Sequence, residues 1–223
     1  MRKHKKTTKI GNIILSHIKN NAKDYLILLF LFILGVMVGV FFINHTSETQ
    51  KQEITSYINT FINSLRENNG IDYLGLLKDS LTKNITLAIL LWFIGSTVTL
   101  ISVIYVIVAF RGFCLGYTIS SAIAVFGSGK GLLFAISTLF FQNIFLIPAL
   151  FAIALSGIRL YKSIIKNRRK ENIKLEIYKH SIFSLLMTGM LVIASLAEAC
   201  ISSNLLNFIV KYMWKKLKKL FTI

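Results

Sequence analysis

Tyr25 to Ile43 reads YLILLFLFILGVMVGVFFI, nineteen residues without a charge. At about 1.5 Å per residue, a helix of that length crosses the roughly 30 Å hydrocarbon core of a bilayer. A cleaved signal would carry a shorter apolar core and a small-residue cleavage site. This block ends in Phe-Phe-Ile-Asn-His, and is read as an uncleaved first span with its N-terminus inside the cell. The rest of the chain repeats the theme. Of 223 residues, 54% are hydrophobic and 16% charged, against about a quarter charged in soluble domains. The fold class expected is all-α, a polytopic integral membrane protein.

Further apolar blocks run over about 84–110, 112–126, 132–158 and 181–203, which with 25–43 gives five spans in one membrane domain. The second is taken to end at Arg111, and GSGKG at 127–131 to be the turn between the third and fourth. That loop lacks the G-x-x-x-x-G-K-[ST] spacing of a phosphate loop. Residues 1–24 carry seven basic side chains against one acid, net +6. Residues 44–83 carry four against five, net −1, and 159–179 carry eight against two, net +6. The positive-inside rule places 44–83 outside and 159–179 in the cytoplasm. The tail 211–223 holds five lysines and is read as an amphipathic interfacial helix. Such flanking clusters account for the formal charge of +17 through lipid headgroups, with no call for nucleic acid.

Within the outer segment, Ile54, Tyr57, Ile58, Phe61, Ile62 and Leu65 recur at helical spacing. They predict an amphipathic helix that lies on the bilayer or docks a partner. Cys114 and Cys200 are read as small packing residues at opposite ends of their spans, too far apart to bridge.

Catalysis inside a membrane needs paired aspartates, a serine–histidine pair or a zinc-binding HExxH. The only aspartates are Asp24, Asp72 and Asp79, all outside the apolar blocks, and no histidine has a metal-ligating neighbour four residues on. The reading is therefore no enzyme, no cofactor and no metal. What remains is polarity inside helices. Glu198 is the one carboxylate in an apolar block, expected near the outer headgroups. Gln142 and Asn143 precede Pro148, the only proline. Pro148 frees a carbonyl about one turn back, near Asn143 to Ile144, and an adjacent amide can satisfy it. The expectation is a clamp on a kinked helix at Asn143, and an interface role for Gln142. Gly35/Gly39 and Gly112/Gly116 are four-residue pairs that permit close helix approach. They are read as internal packing, with a homo-oligomer as the alternative use.

GVMVGVFFINHTSETQKQEITSYINTFI, AFRGFCLGYTIS and GKGLLFAISTLFFQNIFLIPALFAIA together resemble the stage II sporulation protein M family of endospore-forming bacteria. Phe141 stands where the family pattern would place a proline. The resemblance implies a non-enzymatic membrane scaffold in the mother-cell membrane at the septum. There it would anchor or recruit the peptidoglycan-degrading stage II sporulation proteins D and P during engulfment. The alternative from a different class is a small permease or transporter subunit lined by Gln142, Asn143 and Glu198. The sequence offers no internal repeat to favour it.

The charge pattern makes a direct prediction. With the native cysteines replaced, single cysteines in 44–83 label from outside intact cells, and those in 159–179 label only after permeabilisation. The reverse pattern would overturn the topology.

Overall fold

The computed structural model describes residues 21–67, 72–97, 100–166 and 173–205. Six α-helices follow one another: α1 (Ala22–Asn44), α2 (Glu48–Glu67), α3 (Tyr73–Ser96), α4 (Ile101–Phe126), α5 (Ser128–Lys166) and α6 (Ile173–Ala197). A turn of π-helix, Glu198–Ser202, continues α6. There is no strand among the described residues. The proposed interfacial tail, 211–223, lies outside them, as do most of the N-terminal basic segment and 167–172.

Four helices are long and apolar enough to cross a membrane: α1, α4, α5, and α6 with its continuation to Leu205. The fifth expected span is α3, whose composition is diluted by Lys78, Asp79 and Lys83. Its packing settles its course. Along α6, Tyr73 Oη donates to Asn204 Oδ1 (2.8 Å), Asn84 Nδ2 to Ser195 Oγ (2.8 Å) and Trp92 Nε1 to Ser181 Oγ (3.0 Å). These bonds run antiparallel from end to end. The helix α3 thus lies antiparallel along α6 over that length.

Two boundaries differ from the sequence reading. The chain does not break at Arg111, which lies inside α4; α3 ends at Ser96 and α4 begins at Ile101. There Ser96 and Thr97 turn their hydroxyls back onto the Trp92 and Phe93 carbonyls (2.8 and 3.0 Å). The extended Thr97 backbone then ends α3. Such hydroxyls satisfy carbonyls that the helix end leaves open. The charge misled because a lone arginine usually marks a membrane edge. Likewise the turn at GSGKG is one residue, Gly127, at φ 78°, and α5 begins at Ser128. Only Gly127 needs the left-handed region that glycine enters freely. The basic stretch 159–179 is for the most part not a loop, since 159–166 extends α5 and 173–179 begins α6. Residues 73–83, read as outer segment, belong to α3.

The core runs along α5, where Leu146, Leu150, Ile153 and Leu155 are fully buried against Leu91, Ile104 and Leu191. Outward-facing Phe30, Phe93, Val106 and Leu185 are exposed on the bundle's outside, as expected where lipid is the solvent. Pro148 sits inside α5 without ending it. At the basic end Lys162 pairs with Asp24 (2.6 Å), tying α5 to α1.

The closest helix approach is α1 on α4, running parallel. A Cβ on Gly35 would stand 2.0 Å from the Ala109 carbonyl oxygen, and one on Gly39 2.3 Å from that of Phe113. From the other side, a Cβ on Gly112 would meet the Phe32 oxygen at 2.1 Å, and one on Gly116 that of Val36 at 2.2 Å. Two glycine pairs thus face each other, backbone on backbone, which only hydrogen side chains permit. Gly35→Ala and Gly116→Ala are each expected to lower stability in detergent by about 1–3 kcal/mol, the range for overpacking. Gly189→Ala, whose Cβ meets open space, serves as the control. An unchanged melting midpoint for Gly116→Ala would show that the two helices do not pack this closely.

Candidate functional site

A polar seam threads the apolar bundle. Its centre is Glu198, at the start of the π-turn, where Ser203 N–H reaches the Glu198 carbonyl five residues back. A π-turn inserts an extra residue into the helix and re-aims the side chains around it. Glu198 Oε2 accepts from two helices at once: from Ser80 Oγ on α3 at 2.5 Å, and from Gln142 Nε2 on α5. One turn towards the basic end, Asn84 is almost fully buried and donates to Ser195 Oγ (2.8 Å), which itself bonds the Leu191 carbonyl (3.2 Å). The carboxylate therefore joins α3, α5 and α6, and does not sit free among headgroups. Glu198 Oε1 makes no hydrogen bond among the described residues. The buried Ser202 hydroxyl at the far end of the π-turn likewise has no partner there.

The countercharge comes from α4. Arg111 is its eleventh residue, roughly 15 Å from the helix start, and so deep in the membrane. It is half-buried and lies within electrostatic reach of Glu198. It forms no hydrogen bond or ion pair among the described residues. A guanidinium at that depth is costly unless a counter-ion is near. Arg111 offsets part of the charge of Glu198.

The two amides of α5 take partners other than those expected. Gln142 makes the internal clamp by crossing to Glu198. Asn143 Nδ2 bonds the Leu139 carbonyl of its own helix at 2.7 Å, and not the carbonyl freed by Pro148. Asn143 also lines an apolar groove of about 300 Å³ between α4 and α5, with Leu115, Ile119, Phe140 and Ile147. The structure therefore brings Gln142 and Glu198 together. The four glycines gather elsewhere, between α1 and α4. Pro148 contributes no side-chain group to the seam.

A second polar cluster lies towards the basic end. His180, only 3% exposed, places Nδ1 2.8 Å from Ser156 Oγ and Nε2 3.4 Å from the Trp92 carbonyl. A serine bonded to a histidine is the makings of a nucleophile and its base. This pair is sealed instead. The Gly95 and Gly157 backbones close against each other beside it, and a Cβ on Gly95 would sit 2.9 Å from His180 Nε2. The pair acts as a clamp between α5 and α6, with α3 against its other nitrogen. Cys114, expected near a span end, lies mid-helix in α4; it and Cys200 are free thiols.

Arg111, Ser80, Asn84, Ser156 and His180 escaped the sequence reading. The available signal was the run Ser96-Thr97-Val98-Thr99, richer in hydroxyl residues than the sequence around Arg111.

Comparison with known families supplies the context. A family model described as Stage II sporulation protein M matches residues 28–203. The chain belongs to the stage II sporulation protein M family. No curated protein and no solved structure gives a match. Family membership and the apolar helices make this a sporulation-related, multi-pass membrane protein. The matched region takes in all five bundle helices and the whole polar seam, from Leu28 to Ser203.

The seam predicts coupled mutational effects. Gln142→Leu removes one of the two donors to a membrane-buried carboxylate, and should cost at least the 0.6–2 kcal/mol typical of an intramembrane hydrogen bond. Asn143→Leu should cost less. Arg111→Leu and Glu198→Gln should each destabilise, and the double variant should recover part of the loss, because a lone buried charge is worse than none. Strictly additive melting shifts would disconnect Arg111 from Glu198.

Proposed function

We propose that this chain is a non-enzymatic membrane scaffold that anchors or recruits peptidoglycan-degrading proteins at the septum during engulfment in endospore formation. The partners are stage II sporulation proteins D and P, the site of action is the mother-cell membrane, and cell-wall hydrolysis belongs to the partners. The observation that carries this reading is the family match over residues 28–203. The architecture supports it in two ways. The bundle is cross-tied by buried polar bonds at both levels, as a rigid platform should be. The amphipathic α2 hangs on the side opposite the basic end and exposes Gln52, Glu53, Ser56, Asn59 and Thr60. By the charge rule that side faces the compartment in which peptidoglycan lies.

A second reading, a small permease, draws on Arg111 and Glu198. Ionisable groups at membrane depth commonly mark a transport path. The two readings separate cleanly. Affinity-tagged protein solubilised from engulfing cells should retain the two hydrolases, and proteoliposomes holding the chain alone should show no solute flux above empty vesicles. Flux without retention of the hydrolases would overturn the scaffold in favour of the permease.

A further inference from the structure

Between α2 and the α4/α5 hairpin lies a cavity of about 520 Å³. Ile54, Tyr57 and Ile58 line it from above, Ala122 and Phe134 from below, and Thr118, Ser121 and Thr138 add hydroxyls. Its size and lining fit the usual site for one small, mostly apolar ligand fixed by a few polar groups. The three hydroxyls are not equivalent. Thr118 and Thr138 donate to carbonyls of their own helices, Cys114 (2.8 Å) and Phe134 (2.6 Å). Ser121, 5% exposed, has a buried oxygen without a partner. At the rim, the exposed Glu53 carboxylate forms no hydrogen bond or ion pair among the described residues, whereas the nearby Glu48 is paired with Lys51.

The depth of the cavity identifies what fills it. Gly39 packs against Phe113 and Tyr117, so residues 118–122 of α4 lie beside the last turn of α1, where that span leaves the bilayer. The cavity thus opens at the boundary between acyl chains and headgroups, where the surrounding solvent is lipid. Apolar walls suit an acyl chain, a buried hydroxyl donor suits its ester carbonyl, and an unpaired carboxylate at the rim suits an ammonium. We propose that the cavity holds one phospholipid of the outer leaflet bearing an ethanolamine headgroup. Its chain lies between α2 and the hairpin, its ester accepts from Ser121, and its ammonium meets Glu53. The bound lipid fills the gap under α2. This site is independent of the scaffold reading.

The test uses the full chain in nanodiscs of equal parts phosphatidylethanolamine and phosphatidylglycerol, with a photoreactive diazirine on an acyl chain of one lipid or the other. After illumination, mass spectrometry should find the ethanolamine lipid attached to peptides holding Ile54–Ile58 and Phe134–Thr138. The preference over phosphatidylglycerol should be about two- to fivefold, the effect of one exposed ion pair. Glu53→Gln should abolish the preference but not the labelling, and Ser121→Ala should weaken labelling by both lipids. Ala122→Phe, which fills the cavity, should remove the labelling. If that variant fails to fold, Ile58→Trp fills the same space from α2, outside the bundle. Equal labelling by both lipids in the unaltered protein, insensitive to either filling variant, means ordinary surface lipid and overturns the proposal.

Discussion

A carboxylate inside a bilayer has no water to turn to, so the protein must supply every partner it needs. Much of the bundle follows from how Glu198 is answered. Ser80 must come from α3 and Gln142 from α5, which fixes the rotation and the height of both helices against α6. Asn84 and Ser195 repeat the arrangement one turn away, and Tyr73 with Asn204 and Trp92 with Ser181 extend it to both ends. Leucine packing alone tolerates sliding and rotation, because lipid tails are as apolar as the side chains they would replace. A row of hydrogen bonds between helices does not.

The other half of the bundle is held by a different force. Between α1 and α4 there is no comparable polar row. Glycines strip the facing surfaces to backbone, and close van der Waals contact supplies the attraction. The two halves meet on α5, whose fully buried leucines and isoleucines form the shared core. Electrostatic links cross between them, two of which involve an acid and a base. Lys162 pairs with Asp24 at the basic end, and Arg111 on α4 faces the charge of Glu198 at depth. The first is partly exposed and contributes little. The second acts at longer range, without a direct ion pair.

These differences in force explain what could be read in advance. The helical class, α1 and the amphipathic α2 follow from composition and period, which are local properties. The glycine pairs were visible as small residues four apart, although which helix faced which was not. Arg111 was misplaced because a single charge looks the same in sequence at a membrane edge or at its centre; only the distant Glu198 distinguishes the two. Ser80 and Asn84 looked like the polar entry to a span because their partners lie more than a hundred residues away. Gln142 and Asn143 were noticed as a pair, yet adjacent residues on a helix point about 100° apart. One therefore crosses to α6, and the other folds back onto Leu139 beside a groove.

The placement of charge bears on what such a fold can do. A transport path needs polar groups that exchange partners during a cycle. Here Glu198 Oε2 is held by donors from two helices, and the His180 cluster is sealed by touching backbones. Movement at either point would break several buried bonds at once. Among the described residues, Arg111, the second oxygen of Glu198 and the Ser202 hydroxyl are open around the seam, and the buried Ser121 and Ser184 hydroxyls are open elsewhere. A bundle tied this way presents its outer helix from a fixed base. Flexibility is left to α2, which is joined to α1 by three residues, His45 to Ser47, and rests on the hairpin across a cavity instead of a packed interface. On the scaffold reading proposed above, the tied bundle would carry α2 as the surface that a partner meets.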